Sequence, residues 1–258
     1  MSDSSDYSEK RAFFDRVLTV YGRNPVLETL QNETLVCHAL HLAENNREGG
    51  IVGEIIKSAK RLGVPIKIHS RGELARISKN GKQDQGVAVD VLCPSFRQLD
   101  DFLAEPAAQP RRLLALDGIT NPQNLGMIIR SAAAGAIDGI LLPRKGTAAL
   151  GPLVIKASAG TLYRAPLLLC ASLPEALKRC QEHGAQVCAL EAQATHSLFG
   201  HREQNFCIYV LGNETEGVSA AVGALADLRL SIPMRNGVES LNVAVTASLI
   251  AYATYLER

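Results

Sequence analysis

Residues 231–251 read S-I-P-M-R-N-G-V-E-S-L-N-V-A-V-T-A-S-L-I-A, and this stretch decides the fold class of the second half of the chain. A short apolar strand, predicted at residues 228–232, runs into a polar loop. The loop ends at Ser240, Leu241 and Asn242, where an uncharged apolar helix begins. A hydroxyl, an amide and unpaired helix N–H groups meet at this point. The stretch therefore indicates either a capped helix or a polar binding pocket.

An earlier segment, residues 113–135, also runs from a strand through a turn into a helix. Asn121 is suited to the N-cap of that helix and Pro122 to its first position. Asn124 and Arg130 lie six residues apart, which is roughly 600° around a helix, so they do not share a face. If both serve one site, Asn124 must lie in the first turn and Arg130 must reach out from the helix body.

A third segment, residues 209–219, reads Y-V-L-G-N-E-T-E-G-V-S, a β-rich run that enters a glycine-containing turn. In order and spacing, the three segments resemble the three motifs of the SpoU-type (TrmH-like) RNA ribose 2′-O-methyltransferases of the SPOUT superfamily. The resemblance covers residues 111–256 closely. It extends more loosely to residues 20–91, which are similar to the N-terminal RNA-binding domain of that family.

Strands and helices alternate from residue 111 onward, which predicts an α/β domain with a parallel sheet covered by helices on both faces. We expect strands at residues 113–117, 139–142, 186–190, 207–211 and 228–232, and helices at 122–134, 150–159, 173–183 and 242–255. No strand is followed by G-x-G-x-x-G, which argues against a dinucleotide-binding Rossmann domain. The resemblance implies a deep trefoil knot, which general topology rules would not propose.

A composition shift divides the chain into two domains. We expect an N-terminal tail at residues 1–17, an RNA substrate-binding domain at 18–92, a linker at 93–110 and the SPOUT methyltransferase domain at 111–258. The sequence E-P-A-A-Q-P at residues 105–110 is the best linker candidate. The resemblance implies that the first domain is a small α/β domain similar to ribosomal protein L30e. Its predicted elements are helices at 26–30 and 53–62 and strands at 64–68 and 86–92.

Bulk properties are typical of a cytoplasmic protein without a membrane anchor. A chain of 258 residues accommodates two modest domains, and it contains no run of 18 or more apolar residues. The first residues are polar and lack a signal-peptide pattern. Six cysteines occur without a C-x-x-C pair, which favours buried free thiols in a reducing compartment. The six histidines have no cysteine or carboxylate partner at ligand spacing, so we interpret them as structural and expect no metal site.

The net charge of +1 neither favours nor excludes nucleic acid, but the charge is unevenly distributed. Residues 51–82 contain eight basic side chains against Glu54 and Glu73, a local excess of six positive charges. Such a cluster indicates a phosphate-bearing partner, with a solvated helix face as the alternative. The basic residues are Lys57, Lys60, Arg61, Lys67, Arg71, Arg76, Lys79 and Lys82.

The family resemblance implies roles for particular residues. Loops at residues 190–194, 211–217 and 232–241 would bind S-adenosylmethionine. The residues implied for this cofactor are Leu190, Leu211, Gly212, Gly217, Ile232, Met234 and Leu241. The implied catalytic set is Asn124, Arg130, Glu214, Ser240 and Asn242. Without the resemblance, Asn124 would be a polar residue at a helix start, Glu214 a surface carboxylate and Ser240 an N-cap.

Arg130 matches the arginine that the family is thought to use in activating the ribose hydroxyl. A guanidinium has a pKa of about 12 or more, so the sequence favours a role in binding the neighbouring phosphate. Phosphate, water and transiently neutral Arg130 all remain as proton acceptors. Three positions depart from the family pattern: Ala244 replaces a serine, Asp84 a histidine and Asn121 an aspartate.

The expected function is S-adenosylmethionine-dependent 2′-O-methylation of a ribose in RNA, with large-subunit ribosomal RNA as the favoured substrate. The alternatives are a tRNA substrate and a non-catalytic RNA-binding assembly factor of the same fold. Family members pair through the knotted domain. The resemblance therefore implies a homodimer in which the helices at residues 122–134 and 242–256 form the interface.

Overall fold

The computed structural model describes residues 12–106, 110–201 and 204–256, which fall into two compact units. One unit extends to Pro94 and includes Leu150–Pro152, and the other comprises the rest of the chain. The elements of the first unit are β1 (Val17–Tyr21), α1 (Arg23–Gln31), β2 (Val36–Ala43), α2 (Gly50–Arg61), β3 (Ile66–His69), α3 (Arg71–Ser78) and β4 (Val87–Leu92).

The first unit has a four-stranded sheet in the order β1-β4-β2-β3. Its strands pair antiparallel except β2 with β3, which are parallel. Strands β1 and β2 and helix α3 were not predicted from the sequence, while both predicted helices and both predicted strands are present with shifted ends. Asp84 is buried and accepts hydrogen bonds from Ser78 Oγ (2.8 Å) and the Gly86 amide (3.0 Å). This carboxylate therefore stabilises the turn before β4.

The second unit has an eight-stranded sheet in the order β10-β12-β9-β11-β6-β7-β8-β5, and all of its pairings are parallel. Its strands are β5 (Arg97–Gln98), β6 (Arg111–Leu116), β7 (Gly139–Pro143), β8 (Leu167–Cys170), β9 (Gln186–Leu190), β10 (His196–Ser197), β11 (Phe206–Leu211) and β12 (Leu228–Ser231). Its helices are α4 (Leu99–Ala104), α5 (Pro122–Ala134), α6 (Pro152–Ala157), α7 (Leu173–Glu182), α8 (Ala220–Gly223) and α9 (Val243–Leu256), with short 3-10 turns at Thr161–Arg164 and Leu198–Gly200.

Helices cover both faces of this sheet, which confirms the predicted α/β architecture. On one face, Leu113, Val187 and Ile208 of the strands pack with α4 and α7 in a buried core. On the other face, the buried Arg112 donates from Nη2 to the Ile250 carbonyl of α9 (3.0 Å). Successive strand residues point to opposite faces, so Arg112 and Leu113 define the two sides.

The structure differs from the predicted linker at residues 93–110. Strand β5 pairs with β8, and Leu99, Phe102 and Leu103 of α4 are buried in the core of the second unit. The apolar spacing of this segment supplies the reason, because three large side chains on one face of a short helix are most stable when buried. The candidate linker at residues 105–110 lies partly outside the described residues.

Along the part of the chain that the structure describes, no helix has the length and apolar composition needed to cross a membrane.

Candidate functional site

A cavity of about 650 Å³ lies beyond the carboxyl ends of β9, β11 and β12. Ligands of open parallel sheets commonly bind at this edge of the strands. All seven residues that the family resemblance implied for the cofactor line the cavity, as do Glu214, Ser240 and Asn242. Its lining comprises Leu190, Glu191, Ala192, Leu211, Gly212, Asn213, Glu214, Thr215, Glu216, Gly217, Val218, Leu230, Ile232, Met234, Glu239, Ser240, Leu241, Asn242, Val243 and Thr246.

The loop after β11 is closed tightly on itself. Asn213 and Gly217 exchange two backbone hydrogen bonds of 2.9 and 2.8 Å. The Asn213 side chain accepts a hydrogen bond from the Thr215 amide (2.8 Å) and donates one to the Gly118 carbonyl (2.8 Å). A Cβ at Gly212 would lie 2.1 Å from the carbonyl carbon of Gly217, so the loop needs glycine there. These contacts hold the loop against the turn between β6 and α5.

A polar triad connects the three predicted segments. Asn124 is buried, and its Nδ2 donates to Glu214 Oε1. Its Oδ1 accepts a hydrogen bond of 3.2 Å from Asn242 Nδ2. Asn242 Oδ1 in turn accepts from the Ala244 amide (2.8 Å), so Asn242 caps α9. Ser240 is exposed at the cavity and is not the cap.

Helix α5 places Asn124 and Arg130 on different faces, as predicted. Asn121 Oδ1 accepts hydrogen bonds from the Gln123 amide (2.8 Å) and the Asn124 amide (3.3 Å), which confirms the predicted N-cap. Arg130 is exposed, and it does not line the cavity. It forms no hydrogen bond or ion pair with any residue that the structure describes. A single chain therefore does not bring Arg130 together with the rest of the predicted site.

The cavity has the electrostatic character of a site for a cation. Four carboxylates line it, those of Glu191, Glu214, Glu216 and Glu239. None of the described residues that line it is lysine, arginine or histidine. Arg229 pairs with Glu191 and compensates one of these charges, whereas Glu214 accepts a hydrogen bond from the neutral amide of Asn124. Apolar side chains between the carboxylates add a surface for an uncharged ring.

Residues 111–252 match the SpoU rRNA methylase family. The chain belongs to that family. Residues 19–92 match the domain family described as RNA 2′-O ribose methyltransferase substrate binding, which covers most of the first unit. The SpoU family comprises RNA methyltransferases, so the family prediction is confirmed.

Relatives that match this chain over about three quarters of their own length support this membership. The chain is 35% identical over 233 residues to a protein of Mycolicibacterium vanbaalenii, which covers 90% of this chain and 74% of that protein. It is 34% identical over 242 residues to a protein of Mycobacterium tuberculosis, covering 93% and 74% of the two chains. Both relatives are described as uncharacterized tRNA/rRNA methyltransferases.

Solved structures share the fold over both units of this SpoU family chain. A TrmH-family protein from Porphyromonas gingivalis is 25% identical, with a TM-score of 0.59 over 95% of this chain and 91% of that chain. The SpoU methyltransferase AviRb from Streptomyces viridochromogenes, solved with S-adenosylmethionine, is 20% identical. It has a TM-score of 0.63 over 94% of this chain and 91% of its own.

In the first unit, the buried His41 has a carboxylate partner that spacing along the sequence does not show. His41 Nε2 lies 3.0 Å from Asp90 Oδ2, and His41 Nδ1 lies 2.9 Å from His69 Nε2. Thr19 Oγ1 donates to Asp90 Oδ1 at 2.7 Å. Burial raises the pKa of Asp90, but the hydrogen bonds from His41 and Thr19 outweigh it and hold this pKa below its usual value. The network satisfies two buried polar groups.

A second group of side chains surrounds His201, which lies beside two cysteines. His201 Nε2 is 3.8 Å from Cys188 Sγ and 3.9 Å from Cys207 Sγ, and the two sulfurs are 3.6 Å apart. A hydrogen bond with Cys188 lowers the pKa of Cys207 to about 7, helped by His201 and Tyr209 and opposed by burial. Spacing along the sequence gave no sign of this group, because strand register brings its members together.

Proposed function

We propose that this SpoU family chain transfers a methyl group from S-adenosylmethionine to a ribose 2′-hydroxyl in RNA. The observation that carries the proposal is the triad of Asn124, Glu214 and Asn242 at a cavity rich in carboxylates. A hydrogen-bonded polar group at the wall of a cavity this size is typical of a small-molecule site. The neighbours solved with S-adenosylmethionine support the identity of the ligand.

The cavity residues fit this cofactor. A volume of about 650 Å³ accommodates a molecule of its size, and the cavity carboxylates complement the positive charges of its sulfonium and ammonium groups. Leu211 and Met234 would flank the adenine, and backbone groups near Gly212, Ile232 and Leu241 would accept and donate its hydrogen bonds. When bound, S-adenosylmethionine supplies an electrophilic methyl group.

The chain's own residues would position the reacting hydroxyl. Asn124 holds both Glu214 and Asn242, so its amide fixes two loops relative to each other. Ser240 presents a hydroxyl at the cavity where the ribose would approach. Holding two reactants in line removes translational and rotational freedom and contributes several kcal/mol to the rate. Arg130 would bind the phosphate next to the ribose and favour loss of the hydroxyl proton.

Arg130 can serve this role if it reaches the cavity of a second copy. It is exposed on α5, one helical turn after Met127, whose side chain is 41% exposed. On α9, the apolar Val245, Tyr252 and Tyr255 are also exposed to a substantial degree. Large apolar side chains on neighbouring helices favour burial in an interface. These features support a homodimer in which the site is shared between subunits.

The first unit would bind the RNA. All eight basic residues of the 51–82 cluster are exposed. The ion pair of Arg61 with Glu33 is long (3.9 Å) and solvated, so it leaves the cluster largely uncompensated. We favour large-subunit ribosomal RNA, because the family resemblance associates this N-terminal domain with enzymes acting on ribosomal RNA. A neighbour from Sinorhizobium meliloti described as an rRNA methyltransferase spans 96% of this chain.

The proposal extends to three properties that the family resemblance implies. The cavity loops would be elements of a trefoil knot. The first unit would be similar to ribosomal protein L30e. The protein would act in the cytoplasm, which is supported by six cysteines that are all free thiols.

Binding and transfer assays test the activity. The full chain should bind S-adenosylmethionine in a calorimetric titration and transfer a labelled methyl group to RNA. Ribose-methylation mapping of ribosomal and transfer RNA should reveal one ribosomal ribose that is methylated only when the gene is present. Loss of a tRNA methylation would establish the tRNA alternative. Cofactor binding without transfer to any RNA would favour the non-catalytic assembly factor.

Variants of Arg130 test the shared site. Arg130→Ala should abolish methyl transfer while cofactor affinity stays within about twofold of the wild type. Arg130→Lys should also be inactive, because a lysine ammonium cannot form the paired hydrogen bonds of a planar guanidinium. Light scattering should give about twice 27.7 kDa. Mixing the Arg130→Ala and Asn242→Ala chains should restore part of the activity. A fully active monomer would contradict the shared site.

A further inference from the structure

Three potential metal-ligand atoms, two sulfurs and one imidazole nitrogen, converge on the face of the second sheet opposite its α4–α7 core. Cys188 lies on β9 and Cys207 on the neighbouring β11, where the parallel register pairs Cys188 with Tyr209. Tyr209 and Cys207 are two residues apart, so both cysteines project from the same face. His201 approaches from the segment that precedes β11. The three ligand atoms all lie within 4.8 Å of one another.

The distances between these atoms match the edges of a metal tetrahedron. With Zn–S near 2.3 Å and Zn–N near 2.0–2.1 Å, a tetrahedral ion requires about 3.8 Å between sulfurs and about 3.5 Å between sulfur and nitrogen. The observed separations are 3.6 Å between the sulfurs and 3.8 and 3.9 Å from the sulfurs to His201 Nε2. A movement of His201 by a few tenths of an ångström therefore completes three ligand positions.

We propose that Cys188, His201 and Cys207 bind a thiophilic divalent transition-metal ion, preferentially Zn²⁺. Cysteine sulfur and imidazole nitrogen are the donors that this ion prefers, and a set of three leaves the fourth position to water. Among the described residues, no further cysteine, histidine, aspartate or glutamate joins the group. A metal ion here departs from the expectation, drawn from the sequence, that the chain binds none. None of the three ligand residues lines the cofactor cavity.

Burial favours the metal over two free thiolates. Both cysteines are fully buried, where two adjacent negative charges would repel each other in a medium of low dielectric. A dication compensates both charges, and its binding displaces the thiol protons. Among the described residues, no other buried cysteine belongs to a group of three potential metal ligands. Burial raises the pKa of Cys93 to about 12, and its sulfur contacts the backbone at Val91 and Leu18.

The site would connect three segments of the second unit. Strands β9 and β11 end at Leu190 and Leu211, which both line the cofactor cavity. An ion that coordinates both strands and the His201 segment would stabilise the folded state, because the unfolded chain cannot present the ligands together. A ligand that binds only the folded state raises the melting temperature, by about 5–10 °C at a hundredfold excess over Kd.

Cobalt is the appropriate probe, because Co²⁺ occupies tetrahedral zinc sites and reports on them by absorbance. The reduced full chain, freed of metal by chelator, should bind one Co²⁺ per chain. Binding should produce a thiolate-to-cobalt charge-transfer band and the visible bands of tetrahedral cobalt, and Zn²⁺ should displace both. Cys188→Ser, Cys207→Ser and His201→Ala should each weaken or abolish these bands. Cys93→Ser, which removes a buried thiol in the other unit, should keep them.

Circular dichroism shows whether each variant is folded. His201 is only half-buried, so His201→Ala provides a test even if the cysteine variants do not fold. Absence of the charge-transfer band at one equivalent of Co²⁺ would overturn the proposal. So would its full retention in the folded Cys188→Ser/Cys207→Ser double variant. A disulfide between the two cysteines in air-exposed protein, with no cobalt binding after reduction, would also overturn it and identify a redox pair.

Discussion

Replacing Asn124 by aspartate tests whether the triad holds the cofactor cavity together. Asn124→Asp keeps the size of the side chain, but it replaces the amide group that donates a hydrogen bond to Glu214 by a carboxylate oxygen, which cannot donate. A hydrogen bond to a charged group contributes about 1.5–3 kcal/mol. Because Glu214 is exposed, solvent screens its repulsion from the new carboxylate. The lost hydrogen bond therefore accounts for the whole expected loss of binding free energy. Tenfold in Kd corresponds to 1.4 kcal/mol, so S-adenosylmethionine should bind about 10- to 100-fold more weakly.

A second substitution on the same helix separates loss of the triad from a general effect of an added charge. The matched control is Asn121→Asp on the same helix, where a carboxylate caps the N-terminus as well as the amide does. Calorimetric titration at neutral pH measures the effect for each variant. An Asn124→Asp chain that is folded and binds within twofold of the wild type at neutral pH would refute the reasoning.

Three further predictions concern the loop glycine Gly212, the buried Arg112 and the buried Asp90. Gly212→Ala should weaken cofactor binding and lower the melting temperature, because its Cβ would lie 2.1 Å from the Gly217 backbone and overpacking costs about 1–3 kcal/mol. The control Gly223→Ala, whose Cβ would have no contact below 3.9 Å, should change neither. Arg112→Met should lower the free energy of unfolding in urea by about 2–4 kcal/mol, because it removes the donors to the part-buried Ala136 carbonyl and the buried Ile250 carbonyl. A loss below about 1 kcal/mol would contradict this. Asp90 has a lowered pKa in the folded state, so its ionised carboxylate stabilises the fold. This stabilisation is fully present above the unfolded-state pKa of about 3.9 and is lost as the pH falls through the folded-state pKa. The stability difference between wild type and Asp90→Asn should therefore shrink as the urea titrations are taken from pH 6 to about pH 3.

The predicted elements of the second unit agree with the structure where capping and periodicity were both clear. The helix at Pro122–Ala134 and the strand at Gln186–Leu190 have the predicted ends. Strand β8 was missed, because a run of four apolar residues can belong to a strand or to a buried helix. Strands β5 and β10 contain two residues each, and such short edge pairings follow from the neighbouring strand rather than from their own sequence.

The family resemblance implied the cavity residues, which lie at the carboxyl ends of apolar strands and in the loops that follow them. Parallel strands present their carboxyl ends at one edge, so loops distant in sequence meet there. The spacing on α5 also predicted that Asn124 and Arg130 diverge, which the structure shows. Sequence could not show that Asn124 contacts both Glu214 and Asn242, since the separations are 90 and 118 residues. These contacts depend on the strand order, which no local pattern encodes.

The cysteines and histidine show the same limit more sharply. Cys188 and Cys207 lie in two predicted apolar strands, where a thiol is as well suited as any small apolar side chain. Their sulfurs meet only because β9 and β11 are neighbours, in parallel, in a register that places both on one face. A one-residue shift of that register would turn one cysteine to the opposite face and leave His201 with a single sulfur. Metal ligands carried by strands are therefore recognised from pairing, whereas ligands in one loop or helix can be recognised from spacing.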